Sequence, residues 1–252
     1  MAKWRADALL VERGFFASRE KARAAVLAGF VFSGDSAVSK PGMLLPETAV
    51  FRVTSRPRYV SRGGEKLDHA LQVFEVSVEG AVVADIGAST GGFTDCLLQR
   101  GARHVYAVDV GYGQLDYGLR RDERVTVMER LNARYLEALP ESLDLATVDV
   151  SFISLTKILG AVHRLLRPGG RVVALVKPQF EAPRSEVARG GVVRDPLARA
   201  RVLGRTVAWA AGHGFRLLGL TRSPLLGPAG NVEFFVCLLR PGQPGRETHD
   251  SR

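Results

Sequence analysis

Polar and apolar positions along this chain follow two rhythms. Up to about residue 54 the apolar runs are short. Residues 6–11 form a brief amphipathic helix that Gly14 stops, and Ser18 reads as the N-cap of a second helix over 19–28. That helix carries Ala22 and Val26 at helical spacing, and Gly29 closes it. Apolar residues 30–32 and 37–38 flank Gly34-Asp35, a hairpin signal, and residues 49–53 supply a last strand. Ser55-Arg56-Pro57-Arg58 then interrupts the pattern and Gly63-Gly64 breaks it again, so residues 55–64 read as a linker.

Beyond the linker the runs lengthen. A helix is predicted over 65–74, with Leu67, Ala70, Leu71 and Phe74 on one face. Apolar runs at 81–86, 104–108, 125–128, 145–150 and 171–176 alternate with helices that begin near Gly92, Gln114, Ser154 and Asp195. Such alternation predicts a parallel sheet covered on both faces. Residues 215–220 and 232–239 add two strands, expected as a hairpin-like pair at one edge. Residues 241–252 are polar and rich in Gly and Pro, the composition of a flexible tail. The expected fold is α/β: a small α+β unit over 1–54, the linker over 55–64, and a mostly parallel, seven-stranded domain over 65–240.

The length of 252 residues suits one large domain with a small appendage. No apolar run reaches eighteen residues, and the N-terminus turns polar too quickly for a secretory signal, so a cytoplasmic protein is expected. Cys96 and Cys237 lie in apolar stretches and read as reduced core residues. Charge changes the picture more. Residues 1–64 hold eleven Lys/Arg against five Asp/Glu, whereas the remainder holds 24 against 21. One quarter of the chain therefore carries two thirds of the formal +9, an asymmetry that points to a polyanion, most commonly nucleic acid.

Six lysines stand against twenty-nine arginines. Arginine does not give up its proton in a protein, whereas a desolvated lysine can. Lys66 and Lys177 each sit beside a strand end or a Gly/Pro break, as do Asp149 and Glu233, which makes the four candidates for chemistry. Residues 82–93 form a buried strand that runs into a glycine-rich turn opening a helix. Its spacing is Gly-x-x-x-Gly-Gly rather than the Gly-x-Gly-x-x-Gly of a dinucleotide site, so no pyrophosphate cradle is evident. Asp109 ends the next strand, where a carboxylate can accept from a ribose diol or simply cap a helix. The acid, glycine loop and second acid resemble the S-adenosylmethionine site of class I methyltransferases. That assigns Asp85, Gly87, Ala88, Ser89, Thr90, Gly91, Gly92, Phe93 and Asp109 to the cofactor.

Two resemblances extend over nearly the whole chain. Arg5-Ala6-Asp7, Leu9-Leu10, Gly14, Ser18-Arg19, Ala22, Gly29-Phe30-Val31 and Lys40-Pro41-Gly42 resemble the S-four-type RNA-binding domain. The motifs at 59–67, 85–95, 108–115, 149–155, 175–181, 190–196 and 223–234 are similar to the TlyA (haemolysin A) family, which joins that module to an FtsJ-like, Rossmann-like class I methyltransferase domain. The resemblance implies RNA contacts by Arg5, Arg19, Lys21 and Arg23, with Arg62 in the linker. It also implies a Lys66-Asp149-Lys177-Glu233 tetrad for 2′-O-methylation of cytidine ribose in ribosomal RNA. Lys177, ending a buried strand beside Pro178, would activate the 2′-hydroxyl, since desolvation favours its neutral amine. Asp149 would orient it, and Lys66 and Glu233 would position the ribose and balance charge. The Asn/Asp-Pro-Pro-Tyr/Phe element of amino-group methylation is absent at Asp149-Val150-Ser151-Phe152, which favours oxygen as acceptor.

S-adenosylmethionine is therefore the expected cofactor, and ribosomal RNA or a ribosomal subunit the expected partner, with no membrane or metal and a monomeric chain. The resemblance implies the large-subunit RNA over the small-subunit one, since shorter members of that family tend to modify only the former and this sequence stops soon after Arg240. Residues Tyr59 to Arg62 run straight into Lys66 and are expected to relay RNA docking to the cofactor pocket. Two other readings compete: a non-catalytic RNA-binding assembly factor, and a cytolysin.

Overall fold

A computed structural model gives the structure and describes residues 3–27, 30–34, 36–53, 58–227 and 229–242, with Ala24 as backbone only. Gly29, Asp35, Thr54, residues 55–57 of the expected linker and residues 243–252 of the expected tail lie outside the described residues. The chain divides into two compact units, Met1–Arg58 and Tyr59–Arg252.

In the first unit, strand β1 (Lys3–Arg5) leads into helix α1 (Ala6–Glu12) and helix α2 (Arg19–Leu27). Strands β2 (Val31–Ser33), β3 (Ser36–Ala37), β4 (Leu44–Pro46) and β5 (Phe51–Val53) follow. Strand β2 pairs antiparallel with both β3 and β5, and β1 pairs with β4, a two-stranded sheet that no local pattern announced. The unit closes over Ala6, Leu9, Leu10, Ala22, Val26, Val31 and Phe51. Inside it the carboxylate of Asp7 is fully buried, 3.0 Å from Arg5 and 3.1 Å from Arg19. Hydrogen bonds from Arg5 pull the carboxyl down to about 2, against the opposing effect of burial.

The second unit opens with α3 (Arg62–Val73), then β6 (Val82–Ile86), α4 (Gly92–Gln99), β7 (His104–Val108), α5 (Tyr117–Arg120) and β8 (Val125–Met128). It continues with β9 (Leu143–Val148), α6 (Thr156–Leu165), β10 (Leu166–Val176), α7 (Pro178–Glu181), α8 (Pro196–Gly212), β11 (Arg216–Arg222) and β12 (Phe234–Leu239). The strands form one seven-stranded sheet in the order β11-β12-β10-β9-β6-β7-β8. All neighbours are parallel except β12, which runs antiparallel to β10 and β11. Every residue of β6 is buried, as expected of a central strand covered on both faces. The chain winds outward from β6 through β7 and β8, then returns to β9 on the other side. That reversal opens a crevice between the carboxyl ends of β6 and β9. Fully buried Leu67, Leu97, Leu159 and Leu175, on the two faces of the sheet, each contribute about 1.5–3 kcal/mol by leaving water.

Helix α3 begins three residues earlier than its apolar periodicity suggests. The Ser61 hydroxyl caps it by accepting from the Gly63 N–H at 3.3 Å. Gly63-Gly64 thus lies inside the first turn, and the buried Tyr59 ring leaves no room for a Cβ on Gly64. The pair serves close packing rather than a break. The helix expected near Gln114 shrinks to one turn capped by Asp116, and β10 starts at Leu166 with a register shift before Arg171. Both cysteines are buried and neither forms a disulfide, and burial pushes the Cys237 thiol up to about 11.

Candidate active site

Two cavities of about 490 Å³ each open over the crevice and share Gly87, Ser89 and Asp149 as walls. Beneath them the glycine turn is stitched to the neighbouring strand: Gly87 and Ala88 N–H groups donate to Val108 O at 2.8 and 3.2 Å. Gly87 has φ +87°, and a Cβ there would meet Asp149 O at 2.5 Å, so only glycine lets β9 pass this close. Asp109 accepts from the Ser89 N–H at 2.8 Å and the Gly111 N–H at 2.6 Å, which locks the turn while its carboxylate still faces the second cavity. Apolar Val108, Val110, Leu131, Ile153 and Ile158 wall that cavity, with Asn132 and Gln114 as polar groups.

The first cavity holds the charged cluster. Lys66, Asp149, Lys177 and Glu233 all line it, together with Ser61, Arg62, Gly63, Thr90, Gly92 and Phe93. Helix α3 delivers Lys66, the ends of β9 and β10 deliver Asp149 and Lys177, and the segment entering β12 delivers Glu233. Asp149 lies one residue past its strand, held by its N–H donating to Ile86 O at 2.9 Å. The four heads form two ion pairs. Lys66 Nζ meets Glu233 Oε2 at 2.6 Å, and Lys177 Nζ meets Asp149 Oδ1 at 2.6 Å while donating to Ser151 Oγ at 2.9 Å. Lys177 is therefore paired rather than a bare desolvated amine. Glu233 is 1% exposed, yet its Oε1 has no hydrogen-bond donor among the described residues. A buried carboxylate oxygen left open beside a cavity is a ready acceptor for a ligand hydroxyl or ammonium.

Asp85 departs from its expected place. Its side chain is fully buried under the turn and lines neither cavity, because Thr94 Oγ1 donates to it at 2.7 Å and Thr147 Oγ1 at 3.2 Å. It ties α4 and β9 to β6. Burial, reinforced by the charge of Asp149 and opposed by those hydroxyls, pushes its carboxyl up to about 7. Gly91, at φ +95°, also lies outside both cavity walls and serves as the N-cap of α4.

The expected RNA contacts of the first unit are all exposed. Arg5 and Arg19 pair with the buried Asp7 yet keep 49% and 57% of their side-chain surface open, and Lys21 and Arg23 lie on the outer face of α2. Arg62 stands at the wall of the first cavity and donates to Leu226 O at 3.4 Å. Tyr59 and Val60 anchor the segment before α3: Tyr59 is buried and the Val60 N–H donates to Asp95 of α4 at 2.8 Å. Sequence reasoning assigned no role to Ser151, Gln114, Asn132 or Phe152. Phe152 has φ +64°, is 91% exposed and faces Phe180 at 5.0 Å between ring centroids. Its signal lay in the stretch after Asp149, where an aromatic follows a candidate catalytic residue by three positions.

A doubly wound sheet with a reversed β12, a glycine turn locked to an acid on the second strand and a charged cluster at the switch point define a class I methyltransferase. The chain belongs to the FtsJ-like methyltransferase family, whose model matches residues 59–240. It is 51% identical over 248 residues to YqxC of Bacillus subtilis, described as a candidate rRNA methyltransferase, covering 96% of this chain and 87% of the relative. It is 46% identical over 238 residues to the 16S/23S rRNA (cytidine-2′-O)-methyltransferase TlyA of Mycobacterium tuberculosis, with 93% and 89% covered. A solved structure titled as a candidate hemolysin of Streptococcus thermophilus superposes with a TM-score of 0.75 at 46% identity, over 97% of this chain and 90% of that one.

Proposed function

We propose that this chain transfers a methyl group from S-adenosylmethionine to the 2′-oxygen of a cytidine ribose in ribosomal RNA. The observation that carries the reading is the meeting of two lysines and two carboxylates around one cavity, next to a second, mostly apolar one. The residues present fit the cofactor. Asp109 would accept from its ribose diol, the apolar walls with Asn132 would take the adenine, and the turn at 87–90 would face the methionyl end. When bound, the cofactor supplies an electrophilic methyl group on a sulfonium.

The chain's own groups do the rest. Lys177 Nζ, fixed between Asp149 and Ser151, presents positive charge to the acceptor hydroxyl and stabilises negative charge as it develops on oxygen. As the hydroxyl proton leaves, Lys177 Nζ takes it and passes one of its own to the Asp149 carboxylate, so the ammonium keeps its charge. Lys66 holds Glu233 so that Oε1 accepts from a sugar hydroxyl, and alignment of the acceptor oxygen is the main contribution of the pocket. Phe152, bare beside this centre, offers a stacking face to a base.

The first unit acts as the S-four-type module that grips structured RNA, through exposed Lys21 and Arg23 in particular. The enzyme works in the cytoplasm as a monomer. Among the described residues no helix is long and apolar enough to cross a membrane. The deciding experiment maps 2′-O-methyl groups on both ribosomal RNAs from cells carrying the wild-type chain or Lys177→Ala. A site present only with wild type supports the reading. No methylated nucleotide in either RNA refutes it.

A further inference from the structure

Resting on the RNA reading above, we propose that the loop from Pro183 to Asp195 is a phosphate-gripping surface for the RNA backbone flanking the target nucleotide, acting through Arg184, Arg189 and Arg194. The loop leaves the sheet at the site itself. Lys177 lies one residue past β10, α7 follows directly, and the loop begins two residues beyond α7.

It is built to hold its shape. Ala188 and Val192 form a bridge, and the Gly191 N–H donates to Ala188 O at 2.9 Å, which puts Arg189 and Gly190 at the tip. Val193 is buried and anchors the returning arm. Asn231, 1% exposed and two residues from Glu233, accepts from the Val193 N–H at 3.0 Å and donates to Gly191 O at 2.8 Å. The loop is thus bolted to the segment that carries a cluster carboxylate.

Its charges are sorted. The carboxylates in and beside it are all engaged within the protein. Glu181 accepts from Ser154 and Leu155, both at 2.7 Å, and Glu186 pairs with Arg201 at 2.9 Å. Asp195 caps α8 through the Leu197 and Ala198 N–H groups at 2.9 and 3.2 Å. Arg184, Arg189 and Arg194 are exposed, and among the described residues none makes a side-chain hydrogen bond or ion pair. Three unspent guanidinium forks on a pinned loop match spaced phosphates, which Arg recognises through paired N–H donors. Displacing counterions from a polyanion would make their contribution steeply salt-dependent.

The test compares the wild-type full-length chain with Arg184→Gln/Arg189→Gln/Arg194→Gln. Binding to deproteinised, unmethylated ribosomal RNA and to intact ribosomal subunits is measured by filter retention between about 50 and 200 mM KCl. The slope of log K against log salt should fall by roughly 2 to 3 in the variant, at 0.7–0.9 per phosphate contact, on both probes. S-adenosylmethionine affinity and Tm should stay at wild-type values, which reports an intact fold. A slope change below about one overturns the proposal. A change seen with subunits but absent with naked RNA also overturns it, and assigns the loop to a ribosomal protein. Wild-type protein that neither binds nor methylates ribosomal RNA defeats the broader functional reading instead, so the two failures are distinct.

Discussion

Lys66 and Glu233 lie 167 positions apart in the chain, yet their heads meet at 2.6 Å inside the protein. Neither can be removed without leaving the other as a buried, uncompensated charge. Glu233→Ala should therefore cost about 3–5 kcal/mol of stability in urea unfolding, and Lys66→Ala a similar amount. The double replacement Lys66→Met/Glu233→Leu should recover most of that stability while methyl transfer stays lost. A stable, active Glu233→Ala enzyme would show that the pair has no such role.

Lys177 is held by one carboxylate and one hydroxyl in a fixed arrangement. Replacement with Arg keeps a charge but not a compact, proton-exchanging head. Both Lys177→Ala and Lys177→Arg should lower single-turnover methyl transfer by about 10²–10⁴-fold, with S-adenosylmethionine affinity in calorimetry nearly unchanged. Ser151→Ala, which removes one restraint on the amine, should have a smaller effect on the same rate.

Asp85 makes a pH prediction of one sign. Its folded pKa of about 7 lies above the unfolded value near 4, so between these limits the folded chain holds a proton that the unfolded chain has lost. The contribution of this group is fully present below about pH 4 and is lost as pH rises through about 7. Asp85→Asn should flatten that change. Subtracting the variant's Tm from the wild-type value should leave a difference that declines from pH 5 to 8.

Asp7 makes the opposite one. Its folded pKa of about 2 lies below the unfolded value, so its stabilisation is present above about pH 4 and disappears as pH falls toward 2. The shift is on the order of 2 kcal/mol. Asp7→Asn should lower stability at pH 7 by up to that amount, and should matter little in acid, as followed by chemical denaturation of the full chain.

Phe152 is almost wholly exposed in a backbone conformation that disfavours its side chain. Phe152→Gly relieves that strain, so the Tm should hold or rise. If the ring stacks on a base, kcat/KM for ribosomal RNA should fall by about tenfold, in line with roughly 1–3 kcal/mol per stacked base. A variant with unchanged kcat/KM would remove the ring from substrate recognition.

Much of this protein was legible locally. The runs at 104–108 and 125–128 are strands with those bounds, and Asp195 caps the last long helix, because a buried run or a cap leaves its mark on adjacent residues. The alternating pattern by itself pointed to a parallel sheet covered on both faces with a hairpin-like edge, and the scarcity of lysine drew attention to Lys66 and Lys177. Only the tertiary structure decided which charges meet. It paired Lys66 with Glu233 and Lys177 with Asp149, joined Arg5 and Arg19 to a buried Asp7, and sealed Asp85 beneath the turn. It also placed Gly63-Gly64 within a helix against Tyr59 and joined β1 to β4. The physical reason is common to all of these. Periodicity reports the backbone a segment adopts and the face it buries, whereas contacts between distant side chains depend on strand order and on how closely two backbones approach.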